Sequence, residues 1–280
     1  MDAKEPLLLS VSRRTDVPAY FGDWFSSRLE RGWVDVRNPF NQSLKRISLL
    51  PEDVLGYVFW SKNPLPFNPV LDRILLSGPP VLYHVTITGL PREMEPHIPD
   101  ESHVIRGMHE LASRIPCSAI TWRFDPTLPM HGKQGDTELR ERFLRLSEKI
   151  GKVAGRVALS IVDPYRKIRK RMGRLTAWNT EWSLDSANKF YEWVQKETPF
   201  SGKAFWCAEP ELPSQISSAC IDREILIAQG VPADGLVRSA TRPGCSCMKA
   251  VDIGAYDTCL GGCVYCYAVQ SHEKVRPFPV

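Results

Sequence analysis

The chain has 280 residues, of which 43 % are hydrophobic and 24 % charged, a composition typical of a globular protein with a sizeable core. Its formal net charge of +4 is mild, so it permits an anionic partner without requiring one. No apolar run reaches the roughly 18 residues that a transmembrane helix needs, and the N-terminus lacks the segments of a signal peptide. We therefore expect no membrane partner and a cytoplasmic location.

Short apolar segments, each followed by polar residues and a turn, predict β-strands. They lie at 7–12, 58–60, 82–87, 119–124, 157–161 and 203–207. Helical periodicity predicts helices at 20–33, 68–76, 101–115, 136–151 and 184–197, and a hairpin is predicted over 33–38 and 45–49. Alternating strands and helices favour a parallel sheet with right-handed crossovers. The predicted fold is α/β, a partial or complete (β/α) barrel with about six parallel strands. An open doubly wound sheet is the alternative.

Polar residues at the predicted strand ends would converge on one mouth of such a barrel. We expect a catalytic role for Arg13, Asp16, Lys62, Arg123 and Asp125. Cofactor binding is expected of Ser12, Asn63 and Glu209. An arginine can grip a carboxylate or phosphate through two parallel hydrogen bonds. The alternative is that Arg13 pairs with Asp16, and Arg123 with Asp125, only to stabilise loops.

Eight cysteines in a chain expected in the cytoplasm suggest metal binding or catalysis rather than disulfides. Cys117 stands alone in an apolar context and is expected in the core. Residues 1–206 are predicted to form the barrel core, and 207–280 a cysteine-rich, cluster-binding extension on the same domain. Within the extension lie Cys207, Cys220, Cys245 and Cys247, which are enough ligands for an auxiliary iron–sulfur cluster or a structural zinc ion. The alternative is that Cys207 and Cys220 are buried thiols.

The last three cysteines, Cys259, Cys263 and Cys266, have C-x3-C-x2-C spacing, and Tyr265 precedes the third. Thiolates are soft ligands that suit iron–sulfur clusters or zinc. A cubane cluster takes four ligands, so three cysteines in one loop would leave one iron open. Zinc prefers four closed ligands, which makes it the weaker expectation for this loop.

This spacing resembles the signature of radical S-adenosylmethionine (SAM) enzymes, C-x3-C-x-aromatic-C. The stretch Cys-Val-Tyr-Cys-Tyr-Ala is similar to the subgroup around spore photoproduct lyase. The resemblance implies an open-site [4Fe-4S] cluster on Cys259, Cys263 and Cys266, with SAM bound at the open iron and Tyr265 beside the cluster or the adenine. It also implies an electron donor such as flavodoxin or ferredoxin. In that family the loop follows the first strand, so a loop starting at residue 259 implies a permuted barrel or a different use of the cluster.

A second resemblance covers nearly the whole chain. The segments Ser12–Asp16, Arg37–Phe40, Phe59–Pro64, Trp122–Pro126 and Arg242–Cys247, together with the terminal cysteine loop, are similar to the prokaryotic family named domain of unknown function 1848. That resemblance implies membership without supplying a reaction. The expected function is therefore that of an iron–sulfur protein resembling radical SAM enzymes, which cleaves SAM reductively to act on an unknown substrate.

The alternative function is a non-enzymatic binding module that zinc or an iron–sulfur cluster stabilises. A basic run at 165–174, followed by Trp178 and Trp182, is compatible with a nucleic-acid partner. Most such runs are solvated helix faces, which is the simpler interpretation of this one.

Overall fold

The computed structural model describes residues 5–163, 165–214, 216 and 219–278. Most of the strands in this part of the chain join one seven-stranded parallel sheet, and two form a separate antiparallel hairpin. The strands are β1 Leu7–Val11, β2 Trp33–Arg37, β3 Leu44–Ser48, β4 Val54–Ser61, β5 Val81–Thr86, β6 Ile120–Phe124, β7 Arg156–Leu159, β8 Lys203–Trp206 and β9 Val251–Asp252.

The helices alternate with the strands of the large sheet, as the periodicity predicts. They are α1 Val17–Tyr20, α2 Gly22–Arg31, α3 Asn68–Ser77, α4 Glu101–Ala112, α5 Lys133–Ile150, α6 Arg166–Met172, α7 Leu184–Glu197 and α8 Arg223–Ala228. Side chains cap three of them: Asp16 accepts a hydrogen bond from Ala19 N–H at the start of α1, Ser183 accepts from Ser186 N–H at the start of α7, and Asp222 accepts from Glu224 and Ile225 N–H at the start of α8. No helix of the described chain combines the length and apolar character needed to cross a membrane.

The order of the large sheet is β8-β7-β6-β5-β4-β1-β9, and every neighbouring pair is parallel. From β1 to β8 this order follows the chain, whereas a doubly wound sheet reverses its order at a switch point. The sheet stays open, with β8 and β9 at its edges. The predicted α/β class and parallel sheet are therefore confirmed, and a closed barrel is not formed by the described strands.

The two faces of the sheet carry different partners, because successive side chains of a strand point to opposite sides. On one face Leu9, Phe59 and Trp122 join a cluster that includes apolar residues of α2, α3, α4, α5 and α7. On the other face Val58 and Phe205 join a cluster built from α8 and the loops around it. The long helices thus cover one face, and much of the segment after β8 covers the other.

Strand β9 shows that the C-terminal segment belongs to the same sheet as the N-terminal strands. Leu9 pairs with Val251 and Ser10 with Asp252. Ile253 N–H then donates to the carbonyl of Ser10 at 3.0 Å. Because all seven strands are parallel, the loop that follows β9 emerges at the same edge as the loops that follow β1, β4 and β6.

Candidate functional site

Strand β9 is fixed to the end of β1 by one partly buried carboxylate. The hydroxyl of Ser12 donates to Asp252 Oδ1 at 2.6 Å, and Arg13 N–H donates to Asp252 Oδ2 at 2.8 Å. A Cβ atom on Gly254 would lie 1.9 Å from Ser12 Oγ, so this close approach requires glycine. The Asp252 network therefore sets the position from which the terminal cysteine loop starts.

Aromatic and cationic side chains stack at the ends of β4 and β5. The rings of Trp60 and His84 are parallel within 8° and 4.0 Å apart, and the guanidinium groups of Arg13 and Arg123 each lie 5.2 Å from the Trp60 ring. Both ring nitrogens of His84 and Nη2 of Arg13 are buried without a hydrogen-bond partner among the described atoms. Burial, together with the charges of Arg123, Arg156 and Arg13, holds the pKa of His84 well below its usual value, so the ring is neutral.

A second buried network lies around Glu95. Its Oε1 accepts from Lys62 Nζ at 2.8 Å and from Thr88 Oγ1 at 2.6 Å, and the phenol of Tyr265 donates to the same oxygen. Burial disfavours a charged Lys62, but Glu95 and other nearby anions outweigh it and raise the pKa of the lysine. Burial and the adjacent Glu95 carboxylate raise the pKa of Tyr265, which stays a neutral donor. The network ties the terminal loop to the ends of β4 and β5.

Asp16 connects the loop after β1 to the loop after β4. Its Oδ1 accepts from Ala19 N–H at 3.0 Å and caps α1, while Oδ2 accepts from Lys62 N–H at 2.7 Å. Burial raises the pKa of Asp16 to about 6, although these hydrogen bonds act against the rise. Asn63 follows Lys62 in the loop after β4; it donates its N–H to Ser61 Oγ, and its side-chain oxygen is buried without a partner among the described atoms.

The terminal cysteine loop lies against these networks. Gly262 has φ +69°, a left-handed conformation that glycine adopts without strain, and Cys266 N–H donates to the Cys263 carbonyl at 3.0 Å. Burial raises the pKa of all three thiols, that of Cys259 to about 12. The charges of Asp16 and Cys266 also raise the pKa of Cys259, and those of Glu95, Cys266 and Cys259 raise that of Cys263.

Four further cysteines, Cys207, Cys220, Cys245 and Cys247, form a second group at the ends of β7 and β8. The sulfurs of Cys207 and Cys220 are 2.8 Å apart, the Cys247 thiol contacts the sulfurs of both Cys220 and Cys245, and Arg123 Nη1 donates to Cys220 Sγ at 3.0 Å. All eight cysteines are free thiols. As the side chains of the described residues stand, no three or more His, Cys, Asp or Glu are arranged to hold a metal ion.

Charged residues surround the second group. Arg123 pairs with Asp125, and Arg242 pairs with Asp163 and donates to the Cys207 carbonyl at 2.9 Å. Glu209 accepts from Ile161 N–H at 3.1 Å, and burial raises its pKa. These contacts hold the loops after β6, β7 and β8 against each other.

A family model described as Domain of unknown function (DUF1848) matches residues 8–268. The chain belongs to the DUF1848 family. No curated protein and no solved structure matches it. The matched range runs from β1 through the terminal cysteine loop, so both cysteine groups lie within the DUF1848 domain.

The DUF1848 structure brings the residues singled out in the sequence to one edge of the sheet, in two groups. The first contains Asp16, Lys62, Asn63, Tyr265, Cys259, Cys263 and Cys266, and the second contains Arg123, Asp125, Glu209, Cys207, Cys220, Cys245 and Cys247. Ser12 and Arg13 lie between the two groups: Ser12 donates a hydrogen bond to Asp252, and the guanidinium of Arg13 lies over the Trp60 ring. Arg123 and Asp125 do form the ion pair of the simpler interpretation, whereas Asp16 binds backbone N–H groups and forms no ion pair with Arg13 among the described residues.

Four polar residues of the DUF1848 site carry no signal in the sequence: Glu95, His84, Arg156 and Asp252. Glu95 lies in an irregular loop far from any predicted strand end, and the other three sit on strands where polar residues have no periodic pattern. The basic run also differs from its nucleic-acid interpretation in two respects. Trp178 is buried and cannot offer a face for base stacking, and Arg171 of α6 donates to the carbonyls of Cys266 and Val269.

Proposed function

We propose that this chain is an iron–sulfur protein of the radical SAM type, built on a partial (β/α) barrel whose cluster loop has moved to the C-terminus. One observation carries the proposal. In the radical SAM pattern the cysteine loop follows the first strand of the barrel. Here the loop follows β9, which lies beside β1 at the start of a sheet whose other strands run in chain order. A circular permutation of the family's strand order would give this arrangement.

Two further features support the partial barrel. The long helices pack into the hydrophobic core on one face of the sheet, as in a (β/α) barrel. A doubly wound sheet carries helices on both faces. The polar groups meet at the carboxyl edge of the strands, where such folds place their sites.

The chemistry of the donors on the terminal loop suits a cubane cluster with one open iron. Cys259, Cys263 and Cys266 are soft donors on a single loop. Backbone N–H groups donate hydrogen bonds to two of these sulfurs: Ala268 N–H lies 3.4 Å from Cys266 Sγ, and the N–H groups of Gly261 and Asp16 donate to Cys259. Such hydrogen bonds tune the reduction potential of a cluster. When bound, a [4Fe-4S] cluster supplies the electron that cleaves SAM to a 5′-deoxyadenosyl radical.

The remaining residues of the edge would hold SAM and exclude water. Nη2 of Arg13 and Oδ1 of Asn63 are buried without partners among the described atoms, so they are free to bind the carboxylate and the amino group of SAM. Glu95 orients the Tyr265 ring next to the cysteines, and Lys62 balances the negative charge of the thiolates. Trp60 offers an aromatic surface between the two arginines. The electron donor we propose is a flavodoxin or ferredoxin.

Anaerobic reconstitution with iron and sulfide tests the proposal. We expect about four irons and four sulfides per chain, and an electron paramagnetic resonance signal of the reduced cluster that changes when SAM is added, because SAM binds the open iron. Loss of the iron in Cys263→Ala, with iron retained in Cys117→Ala, would assign the cluster to the loop. A colourless protein that binds no iron would instead favour the metal-stabilised binding module, whose surface for nucleic acid would include the exposed Arg166, Arg169 and Lys170 of α6.

A further inference from the structure

The second cysteine group is assembled from three separate segments of the chain. Cys207 follows β8, Cys220 precedes α8, and Cys245 and Cys247 lie in the loop that leads to β9. The backbone joins the last two segments, since Met248 N–H donates to the Ile221 carbonyl at 3.0 Å. Cys220 and Cys247 are each 3 % exposed, and Cys207 and Cys245 are half-buried. The group is therefore a buried junction with one accessible side.

Hydrogen-bond donors point at the sulfurs of this junction. Arg123 Nη1 lies 3.0 Å from Cys220 Sγ, Ile221 N–H lies 3.3 Å from Cys247 Sγ, and Thr241 Oγ1 lies 3.5 Å from Cys245 Sγ. Donors from backbone and side chain around thiolate ligands are the usual outer contacts of metal sites. Ordinary buried thiols do not require three such donors, since a cysteine behaves as a small hydrophobic residue.

A buried arginine next to the junction indicates that the cysteine group carries a negative charge. Arg156 is 2 % exposed, and it donates to the carbonyls of Ala219 and Cys220 at 3.0 and 2.6 Å and to Thr121 Oγ1 at 2.9 Å. Among the described residues no carboxylate forms an ion pair with it. The Asp222 carboxylate acts on Arg156 electrostatically but does not pair with it, and a buried charge without a paired counter-charge is strongly unfavourable. A divalent metal with four thiolates carries a net charge of about −2, which would neutralise the positive charge of Arg156 and attract that of Arg123.

We propose that Cys207, Cys220, Cys245 and Cys247 bind one zinc ion as a closed tetrathiolate site that fixes the segment after β8 to the face of the sheet. Tetrahedral zinc with bonds of about 2.3 Å places its sulfurs about 3.8 Å apart. The Cys207 and Cys220 sulfurs are 2.8 Å apart, so they need to separate by about 1 Å to receive the ion. A cubane would need room for four irons and four sulfides between the same cysteines. The Cys207 and Cys220 sulfurs, 2.8 Å apart, would have to separate much further for a cubane than for zinc.

This site is independent of the cluster proposed on the terminal loop, and its test separates the two. The full chain carrying Cys259→Ala, Cys263→Ala and Cys266→Ala removes the loop ligands and leaves the junction intact. We expect this variant to retain roughly one zinc per chain by mass spectrometry of the metal and to bind no iron after anaerobic reconstitution. Exchange of zinc for Co²⁺ should give the visible bands of a tetrahedral thiolate complex together with sulfur-to-cobalt charge transfer.

Cys247→Ala tests the same site by loss of the metal, and Cys117→Ala is the matched control because Cys117 lies outside both groups. If Cys247→Ala fails to fold, release of zinc from the wild-type chain by an organomercurial, monitored with a colorimetric chelator, reports the same ligands. About four irons in the triple variant after reconstitution would overturn the proposal in favour of a second cluster. Absence of zinc with a Cys207–Cys220 disulfide, detected by mass spectrometry of peptides, would also overturn it.

Discussion

The buried Glu95 network predicts a large effect from a small change. Glu95→Gln preserves the shape of the side chain but removes the negative charge that three donors share, including the Lys62 ammonium at 2.8 Å. The side chains of Lys62 and Glu95 are only 13 % and 9 % exposed, so water cannot replace the lost partner of the lysine. Removing one partner of a buried ion pair destabilises a protein by about 3 kcal/mol or more. In a chain of this size that lowers the Tm on the order of 10 °C.

Thermal and denaturant unfolding of the metal-free protein measures this loss, and the chain supplies a matched control. Arg73 and Glu30 form an exposed ion pair, with side chains 48 % and 63 % exposed, for which Glu30→Gln should change stability by less than about 1 kcal/mol. Adding Lys62→Met to Glu95→Gln should restore part of the stability, since no unpaired charge is then left buried. The reasoning is refuted if Glu95→Gln is no more destabilising than Glu30→Gln.

Three other changes test separate parts of the site. Cys245→Ala should lower the Tm and the soluble yield, because closed metal sites contribute to folding. Cys263→Ala should stay folded and lose SAM cleavage. Melting curves and activity assays that show the reverse would mean that the two cysteine groups have exchanged roles. Gly254→Ala should destabilise the protein by about 1–3 kcal/mol, measured by urea unfolding, because its methyl group would overlap Ser12. His84 is neutral in the fold, whereas in the unfolded chain it binds a proton as the pH falls below about 6.5. The folded state therefore keeps its full stability above that pH and loses stability below it. His84→Phe should therefore lose less stability than the wild type as the pH falls from about 6.5 to about 5, and parallel pH profiles of the two proteins would contradict this.

The strands were predictable because their apolar runs are short, buried on both faces and followed by polar turns. Each of the six predicted strands overlaps a strand of the large sheet, and the helix predicted at 184–197 has those bounds in the structure. The helix α5 starts at Lys133, earlier than the predicted start at Asp136, because the first turn contains no side-chain cap to mark it. Local patterns of this kind depend on spacing along the chain alone.

Contacts between distant segments could not be read in the same way. Strand β9 has two residues, too few for any periodic pattern, and it forms only because Val251 and Asp252 meet β1. Glu95 becomes a central acceptor only when Lys62 and Tyr265 are brought to it from positions 33 and 170 residues away. The sequence pattern indicated which cysteines are clustered along the chain. The contact between the Cys207 and Cys220 sulfurs, in contrast, depends on the order of the strands.

Production of 5′-deoxyadenosine is the most direct test of the proposed chemistry. The anaerobically reconstituted chain, supplied with SAM and dithionite, should release 5′-deoxyadenosine, detectable by liquid chromatography and mass spectrometry. Cys263→Ala treated identically should release none, and Cys117→Ala should match the wild type. If a wild-type chain that carries a full complement of iron and sulfide forms no 5′-deoxyadenosine, the terminal cysteine loop does not serve radical SAM chemistry.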